Sequence, residues 1–586
     1  MPLLTTELIL DLDEFCREML RAPLVAIDTE TTGLNIYPYG ENYATGLSIA
    51  YRREGYGVVS EYFAFRHNDS GDLEPGQKLL LKDTIEQLKL VTFHNAKFDL
   101  PSLKTLGIDY KNNFYCTMVL AHLIDENKPY AGKKLNACTK LYLNGDCKKD
   151  SPDWEAWQKA GIIIPSWVMR EYAAYDTDLT LRLCEVLLDI IRAKEPELLN
   201  FWDVQKGPLM RLVSKMEQRG VHIDVPLCEK MTSIGETQME EYSELLGGLN
   251  PASPKDLEKL LIDELGLPEI MKKRKNNTES RTFDKGAMEI YERILEHVDN
   301  PTARYILAYR GWQKSVSSNY RPYVELLSPD GRLRPHYRHD RTVTGRMSCE
   351  KPNLQQIPRV SDKPWNGVMK SAFIPREGYT LYEADYSQLE LRLATAYAKV
   401  PELIKVFEEG RDIFTEMSER IGLTRQDTKT FVYLTQYGGG VNRTVQSLGV
   451  THDRAKDIQE QYKRSYPRFV AIANQAQNKA KLNKQVQLWS RRYRHFQWPK
   501  EEAHKAFNSV IQGGAADIME RSMLRVEDAV DNDEECRMLL QVHDSIVFEI
   551  KNGKEDEYLP EINKAMSNVE PDFGVKFAVD VHVWGH

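Results

Sequence analysis

Up to Glu195, short apolar runs alternate with longer stretches of helical periodicity. Pro23-Leu-Val-Ala-Ile27 is a continuous apolar run of the kind a buried strand shows, and Lys89-Leu-Val-Thr-Phe93 is a second. From Glu171 to Lys194 apolar positions recur at helical spacing with no Gly or Pro, which predicts a long helix. Strands and helices in this mixture predict an α/β unit, with a boundary near Glu195-Pro196. Beyond it, Pro208 to Gln218 reads as a helix closed by Gly220. Val225 to Tyr320 is rich in helix formers, with a loop-like break at Lys272-Lys-Arg-Lys-Asn-Asn277. From Ala372 a strand-helix pattern returns, followed by a long helical region and then strands close to the C-terminus.

A chain of 586 residues is too long for one core and implies about three or four compact units. No apolar run approaches the ~18 residues that cross a bilayer, so no membrane partner is expected. Met1 to Glu14 carries acids within its apolar stretch and no basic lead-in, which argues against a signal peptide. The eight cysteines form no C-x-x-C pair, against a zinc site or a disulfide framework, and the expected compartment is a reducing cytoplasm. The net charge of −9 hides an uneven distribution. Tyr466 to Lys500 holds eight Lys or Arg and no acid, and Arg310 to Arg346 holds eight basic and three acidic residues. Tyr320, Tyr323 and Tyr337 sit in one stretch, Trp489, Tyr493 and Trp498 in the other. Basic residues neutralise phosphates and aromatics stack on bases, so two such stretches suggest a polyanion cleft; solvated basic faces are the plainer reading.

Asp28 and Glu30 follow the first strand in Val25-Ala-Ile-Asp-Thr-Glu-Thr-Thr-Gly-Leu34, and two residues apart on an extended chain they point to the same side. Asp99 lies just past the second strand in His94-Asn-Ala-Lys-Phe-Asp99. Tyr172 and Asp176, four apart on the predicted helix, share a face. Singly, each acid reads as a surface residue. Together the four acids can converge on two Mg²⁺ ions about 3.5–4 Å apart that generate a hydroxide and stabilise a leaving 3′ oxygen, with Tyr172 orienting the water. In this order, Asp-x-Glu, Asn-x-x-x-Asp and Tyr-x-x-x-Asp resemble the three motifs of the tyrosine-containing DEDD 3′→5′ exonucleases; that tyrosine spacing selects Asp176 over neighbouring Asp178.

Three further segments carry chemistry. Thr380-Leu-Tyr-Glu-Ala-Asp-Tyr-Ser-Gln-Leu-Glu-Leu-Arg392 reads as a strand ending at Asp385 and then a helix, with Ser387 and Glu390 in capping-box register. Arg425, Lys429, Tyr433 and Tyr437 recur every fourth residue, which places them on one slanting helix face about 120° wide. Two cations and two rings there suit a triphosphate and a base; an exposed helix with a few aromatics is the alternative. Met538-Leu-Leu-Gln-Val-His-Asp-Ser-Ile-Val-Phe-Glu549 reads as a hairpin with His543-Asp544 at its tip, from which Asp544 can face Asp385 across a sheet.

Together these segments resemble motifs A, B and C of the family A DNA polymerases, the group of bacterial DNA polymerase I and many phage replicases. Thr344-Gly-Arg346, Pro352-Asn-Leu-Gln355 and Asn508-x-x-x-Gln512-Gly-x-Ala-Ala-Asp517 add to the match, which runs from about Pro208 to His586. The resemblance implies an α/β multidomain protein: a ribonuclease-H-like exonuclease domain at 1–195, thumb and connecting helices at 196–335, first palm part at 336–400, fingers at 401–500 and second palm part at 501–586. It implies that Asp385, Asp544 and the Tyr386 carbonyl hold two Mg²⁺ ions, for which Mn²⁺ can substitute. Arg425 and Lys429 would grip phosphates, with Lys429 protonating pyrophosphate; Tyr433 would stack on the nucleotide and Tyr437 lie by the templating base. Gln388 would join the nucleotide site, and Glu390 would exclude a ribose 2′-OH. Arg346, Gln355, Asn508, Gln512 and His543 would line the primer-template minor groove, whose acceptors are common to correct pairs.

This sequence departs from the family pattern at three places. Tyr433 stands where many relatives have Phe, which implies weak discrimination against dideoxynucleotides. Ser545 stands where Glu is common, and Phe414 where bacterial members often have His. Partners implied are primer-template DNA and dNTPs, with a replisome helicase, primase or processivity factor as further candidates; a monomer in the cytoplasm, host or organellar, is expected. No flap-nuclease domain is expected before the exonuclease, a layout resembling a phage-type replicase. Rival readings are a nuclease with a non-catalytic polymerase-like scaffold, a single-subunit RNA polymerase and a processivity module. Retention of Asp385, Asp544, Arg425 and Lys429 counts against the first, Glu390 and the exonuclease motifs against the second, and six metal-competent acids against the third. The Lys272 to Lys275 run suits either a duplex grip or a solvated loop.

Overall fold

The computed structural model describes the chain apart from residues 1–10, 35, 37–41, 130–131, 145–156, 158–162, 274–278, 359, 361, 531, 570–572 and 586. The amino-terminal expectation for Met1 to Glu14 and the basic run past Lys273 thus fall largely outside the described residues. Contacts divide the chain into two compact units, one built from Met1–Gln218, Tyr337–Ser348 and Ala384–Val581, the other from Arg219–His336, Cys349–Glu383 and His582–His586.

In the first unit, a five-stranded sheet has the order β3-β2-β1-β4-β5, with β1 at Val25–Thr31, β2 at Ala44–Arg53, β3 at Gly57–Ala64, β4 at Leu90–Phe93 and β5 at Asn113–Cys116. β1 runs antiparallel to β2 and parallel to β4. Val25, Ala26 and Ile27 have no exposed surface, as a continuous apolar run in a covered sheet requires. Helix α1, Ala96–Thr105, contacts β1 and β2, and the long helix α2, Ser166–Lys194, lies across β1, β2 and β3. α2 starts before the expected Glu171 because Asp69 caps it from a distance: it accepts from the Ser166 backbone N–H and hydroxyl, both at 2.7 Å. No local signal announces that cap. Arg192 and Lys194 in the last turn complement the helix dipole.

At Glu195 the backbone leaves helical geometry, as Glu195-Pro196 predicts, but the compact unit continues. A π-type turn at Trp202–Lys206 leads into α3, Gly207–Arg219. Trp202 is buried, and its indole N–H donates to Phe114 O at 2.8 Å, which pins the connection to the end of β5. Gly220 then closes α3 at φ +60°, a conformation that favours glycine.

A second sheet of this unit has the order β9-β10-β6-β11, where β6 is Tyr379–Tyr386, β9 Cys536–Val542, β10 Ser545–Lys551 and β11 Val579–Val583. The unit takes in the end of β6 from Ala384 and β11 as far as Val581. Around this sheet run α4, Leu389–Ala398; α5, Ile413–Ile421; α6, Arg425–Gln436; and α7, Ala506–Val530, with a small hairpin of β7, Gln485–Gln487, and β8, Tyr493–His495.

The second unit is mainly helical. Helices Val225–Leu245 and Thr302–Ser315 pack on each other. Gly235 lies beside them where a Cβ would come within 2.5 Å of Val316 and 3.1 Å of Trp312, so a side chain there would force the backbones apart. A three-stranded sheet joins Phe373–Ile374, Val221–Ile223 and Arg332–Leu333. Of the loop-like break expected at 272–277, Lys272 and Lys273 lie in a short strand, Met271–Lys273, that pairs antiparallel with Glu279–Arg281, and 274–277 lie outside the described residues.

The two basic stretches depart from what their composition suggests in the tyrosines of the first and in part of their arginines, while Arg468, Lys479, Lys481, Lys484, Arg491 and Lys500 of the second are exposed. Tyr320, Tyr323 and Tyr337 have no exposed surface; Tyr323 packs edge-on to Phe373, and the Tyr337 hydroxyl donates to Gln541 O at 3.2 Å. Arg334 forks onto Asp330 at 2.6 and 2.7 Å, and Arg338 onto Asp340 at 2.9 and 2.8 Å. Arg492 and Arg494 are buried in ion pairs with Asp517 and Glu126. Charge counting cannot separate a solvated arginine from a buried, paired one. The seven described cysteines are free and buried, and no helix among the described residues is long and apolar enough to cross a membrane.

Candidate active sites

At the end of β1, half-buried Asp28 and Glu30 flank buried Thr29, in keeping with side chains that alternate along a strand. Tyr172 and Asp176 lie one turn apart on α2, and the phenol feels Asp176, Glu30 and Asp28 together. Burial is the main reason that the Tyr172 hydroxyl is raised far above its usual value; the three carboxylates add to it. Asp99, in the first turn of α1, is fastened to the strand itself. The Thr29 N–H and hydroxyl both donate to its Oδ1, at 3.2 and 2.7 Å. Burial pushes the Asp99 carboxyl up, to about 7, against the pull of those bonds. Asp178 is accounted for otherwise, as the buried partner of Arg182 at 2.9 Å.

The second site forms where β6 ends beside the β9-β10 hairpin. The Tyr386 N–H donates to Asp544 O at 3.1 Å, so the strand end carrying Asp385 and the hairpin tip carrying Asp544 adjoin. His543 takes φ +55° at that tip, the left-handed conformation a two-residue turn demands. Ser545, the departure from the family pattern, is buried with its hydroxyl donating to Val542 O at 2.9 Å, closing the turn. The Tyr386 side chain points into the core, donating to Met566 O at 2.8 Å and pairing with Ser522 at 2.6 Å. Only its backbone remains for the site.

Glu390 does not form the capping box that its register with Ser387 suggests. Gln388 is the N-cap of α4, left-handed at φ +57° and without a side-chain cap. Glu390 instead accepts from Arg346 Nη2 at 2.6 Å and from the Tyr437 hydroxyl at 3.0 Å, and the same guanidinium nitrogen lies 3.6 Å from Asp544. Burial raises the Glu390 carboxyl, while Arg346 works in the opposite direction. Gln512 hydrogen-bonds Tyr437. Gln388 Oε1 and Asn508 Oδ1 are shut off from solvent with no hydrogen-bond donor among the described residues.

On α6, Thr428, Phe431, Val432 and Gln436 are buried, whereas Arg425 and Lys429 are exposed and Tyr433 is half-buried, as the fourfold spacing predicts. Tyr433 and Tyr437 stack at 6.4 Å and 25°. Both phenols are pushed up to about 12, first by burial and next by Glu390. Phe414 gives the helix an apolar neighbour: it is buried, tilted 5.9 Å from Tyr433, with Arg425 and Lys429 each 6.0 Å from its ring centre.

Sequence reasoning missed Asp412. It caps α5 by accepting from Thr415 N at 2.7 Å, and receives the Arg425 fork at 3.1 and 2.6 Å. The Arg425 bonds are the main reason its carboxyl falls to about 2. A Thr-x-x-Asp or Asp-x-x-Thr count could have flagged the cap, but not the cation. Gln355 belongs to the second unit, where its N–H donates to Asn353 Oδ1 at 3.2 Å.

Carboxylate oxygens are the donors that hard divalent cations take, and both sites offer them. The four amino-terminal acids do not bring three such side-chain donors within 4.8 Å of one another. Among the described residues only Asp125, Glu126 and His495 do so. That trio already has its charge balance: Glu126 accepts from Arg494 at 2.5 Å and faces His495 Nδ1 at 2.9 Å.

Comparisons with known proteins agree with this division. Residues 227–585 match the family described as DNA polymerase family A, and residues 7–192 match 3′-5′ exonuclease. The chain is 32% identical over 449 residues to the thermostable DNA polymerase I of Thermus filiformis, covering 72% of this chain and 52% of that protein. It is 28% identical to DNA polymerase I of Rhizobium leguminosarum over 95% of this chain and 58% of the relative. It thus spans little more than half the length of these relatives. The solved structure of the POL domain of Pol1 from M. smegmatis, in complex with DNA primer-template and dNTP, superposes with a TM-score of 0.83 at 23% identity, covering 97% of this chain and 96% of that one.

Proposed function

Because the chain belongs to DNA polymerase family A, we propose that it extends a DNA primer under template direction and trims the same 3′ end at a separate exonuclease site. The observation that carries the reading is the junction of β6 and the β9-β10 hairpin, which puts Asp385 and Asp544 on adjoining chain ends with Arg346, Glu390 and Tyr437 alongside.

Asp385, Asp544 and the Tyr386 carbonyl fit divalent cations at one site, and Asp28, Glu30, Asp99 and Asp176 fit them at the other. Bound Mg²⁺, or Mn²⁺ in its place, would activate the attacking oxygen and neutralise the leaving one. The rest falls to the protein. Arg425 and Lys429 receive the triphosphate, Arg425 by exchanging Asp412 for phosphate oxygens with the same fork geometry, and Lys429 supplies the proton for pyrophosphate. Tyr433 offers its ring to the incoming base, and Tyr437 sits by the template. Glu390, held by Arg346 and Tyr437, stands where a ribose 2′-OH would have to be accommodated. The orphaned acceptors of Gln388 and Asn508 fit donors on the nucleotide and duplex, and Arg346, Gln512 and His543 complete the minor-groove set of this unit. At the amino-terminal site Tyr172 orients the water. The domain division follows: exonuclease to 195, then thumb, and a palm interrupted by fingers at 401–500.

A primer-extension gel tests this, with wild type, Asp28→Ala and Asp385→Ala, each with and without dNTPs and with rNTPs as a control. Asp28→Ala is expected to extend but not shorten, and Asp385→Ala to shorten but extend at least about 10³-fold more slowly. Wild type that shortens primers and never extends them would refute the polymerase reading.

A further inference from the structure

Thr344-Gly-Arg346 and the end of the Asn508 to Asp517 segment are two stretches of the sequence to which no chemistry has yet been attached beyond Arg346, Asn508 and Gln512. In the structure one side chain joins them. Arg492, on the loop between β7 and β8, has only 6% of its side chain exposed, and Asp517, on α7, has none. Arg492 Nε donates to Asp517 at 2.7 and 2.9 Å, and the Ser490 hydroxyl donates to the same carboxylate at 2.5 Å. The other end of the fork leaves this pair altogether. Arg492 Nη2 donates to Thr344 O at 2.5 Å and to Gly513 O at 2.9 Å.

Two glycines make room for it. At Gly345, with φ +83°, a Cβ would lie 2.6 Å from Nη2; at Gly513 it would lie 3.0 Å from Nη2 and 3.0 Å from Thr344 O. The guanidinium is thus seated between two backbones that only glycine lets approach. A buried ion pair is weak evidence for stability as such, because desolvation offsets much of the attraction. What this one supplies is position: it fixes the carbonyl of Thr344, two residues before the side chain that meets Glu390 at 2.6 Å and Asp544 at 3.6 Å.

We propose that Arg492, anchored by Asp517, is a positioning residue for sugar selection, which sets the Thr344-Gly345-Arg346 turn and through it the Arg346–Glu390–Tyr437 arrangement. It touches no substrate. This inference rests on the polymerase reading above. Lysine at 492 keeps a charge for Asp517 but cannot also reach Thr344 O and Gly513 O with a fork. Arg346 and Glu390 then have a less defined perch, and a ribose is excluded less well.

The test is steady-state extension with dNTP and with rNTP for wild type, Arg492→Lys, Arg346→Ala and the double variant, with primer shortening and Tm as controls. Arg492→Lys is expected to shorten primers at the wild-type rate while its dNTP-over-rNTP preference falls about tenfold, within the range of couplings carried through packed networks. The double variant is expected to be no worse than Arg346→Ala alone, since both act through one side chain. Should Arg492→Lys not fold, Gly513→Ala, which wedges a methyl group between Nη2 and Thr344 O, is expected to give the same loss of preference. An unchanged preference in the folded variant, or losses that multiply in the double variant, overturns the proposal. Wild type that does not extend at all sinks the polymerase reading itself, which is a different result.

Discussion

At the amino-terminal site the charges that bear on Tyr172 come from Asp176, Glu30 and Asp28, whereas at the second site Glu390 meets Arg346 at 2.6 Å and Asp544 has the same guanidinium at 3.6 Å. Clustered carboxylates raise one another's affinity for protons or for a cation, and a fixed arginine lowers it. On the proposed reading a divalent cation binds beside the amino-terminal carboxylates. The second site carries part of its own counter-charge in Arg346, and on the proposed reading Arg425 and Lys429 receive an anionic substrate. Arg425 itself is held by the Asp412 carboxylate, which on that reading phosphate would displace.

Four measurements would break or sharpen that contrast. The largest effect is expected from Arg346→Ala, which leaves Glu390 buried without its cation: extension should fall about 10³-fold while primer shortening is untouched. Equal losses at both sites would mean that the sites are not independent.

Next is pH. Burial works against charge on His495, but Glu126, hydrogen-bonded at 2.9 Å, and Glu195, 3.7 Å away, outweigh this and lift it from 6.5 to about 9. A raised pKa contributes stability that is complete below about 6.5 and is lost as pH rises through about 9. The loss is at most about 3 kcal/mol, counted once for the pair it shares with Glu126. Thermal unfolding should show Tm falling between pH 7 and 9.5 in wild type and a flatter profile in His495→Gln, with neither active site altered.

Third is the ion itself. Mg²⁺ at a hundredfold excess over its dissociation constant should stabilise wild type by about 2.7 kcal/mol. Much of the Tm gain should vanish in Asp28→Asn and less in Asp385→Asn, if the amino-terminal site depends more on the cation. Smallest is Asp412→Asn, which retains a good N-cap and removes the competing charge: the dNTP KM should fall about threefold. A rise in KM would mean that Asp412 positions Arg425 rather than restrains it.

Periodicity and local geometry were legible in the sequence. The apolar run before Asp28, the fourfold spacing from Arg425 to Tyr437 and the hairpin around His543-Asp544 each record one element, and each element formed. What stayed hidden was pairing between distant segments. Glu390 matched a capping box because Ser387 stood at the right spacing, yet Arg346 and Tyr437, remote in sequence, claimed the carboxylate. Tyr320, Tyr323 and Tyr337 looked like stacking platforms and proved to be core, since a tyrosine carries no local mark of which side of it will be buried. Asp412 and Asp69 escaped notice, and Asp517 was matched without a role, for the same reason: each acts on a group elsewhere along the chain.

The strand β6, which ends in Asp385 and Tyr386, lies between β10 and β11. Both neighbours are made long after it, at Ser545–Lys551 and Val579–Val583, whereas every strand around Asp28 is complete by Cys116. On a ribosome, the amino-terminal sheet can close while later segments are still being translated, but β6 must wait with both edges unsatisfied until Ser545–Lys551 and Val579–Val583 emerge. A chain stalled before β10 would therefore carry Asp28 and Glu30 in their finished sheet and have no place yet to bring Asp385 and Asp544 together, and its waiting strand would be the segment in most need of a chaperone.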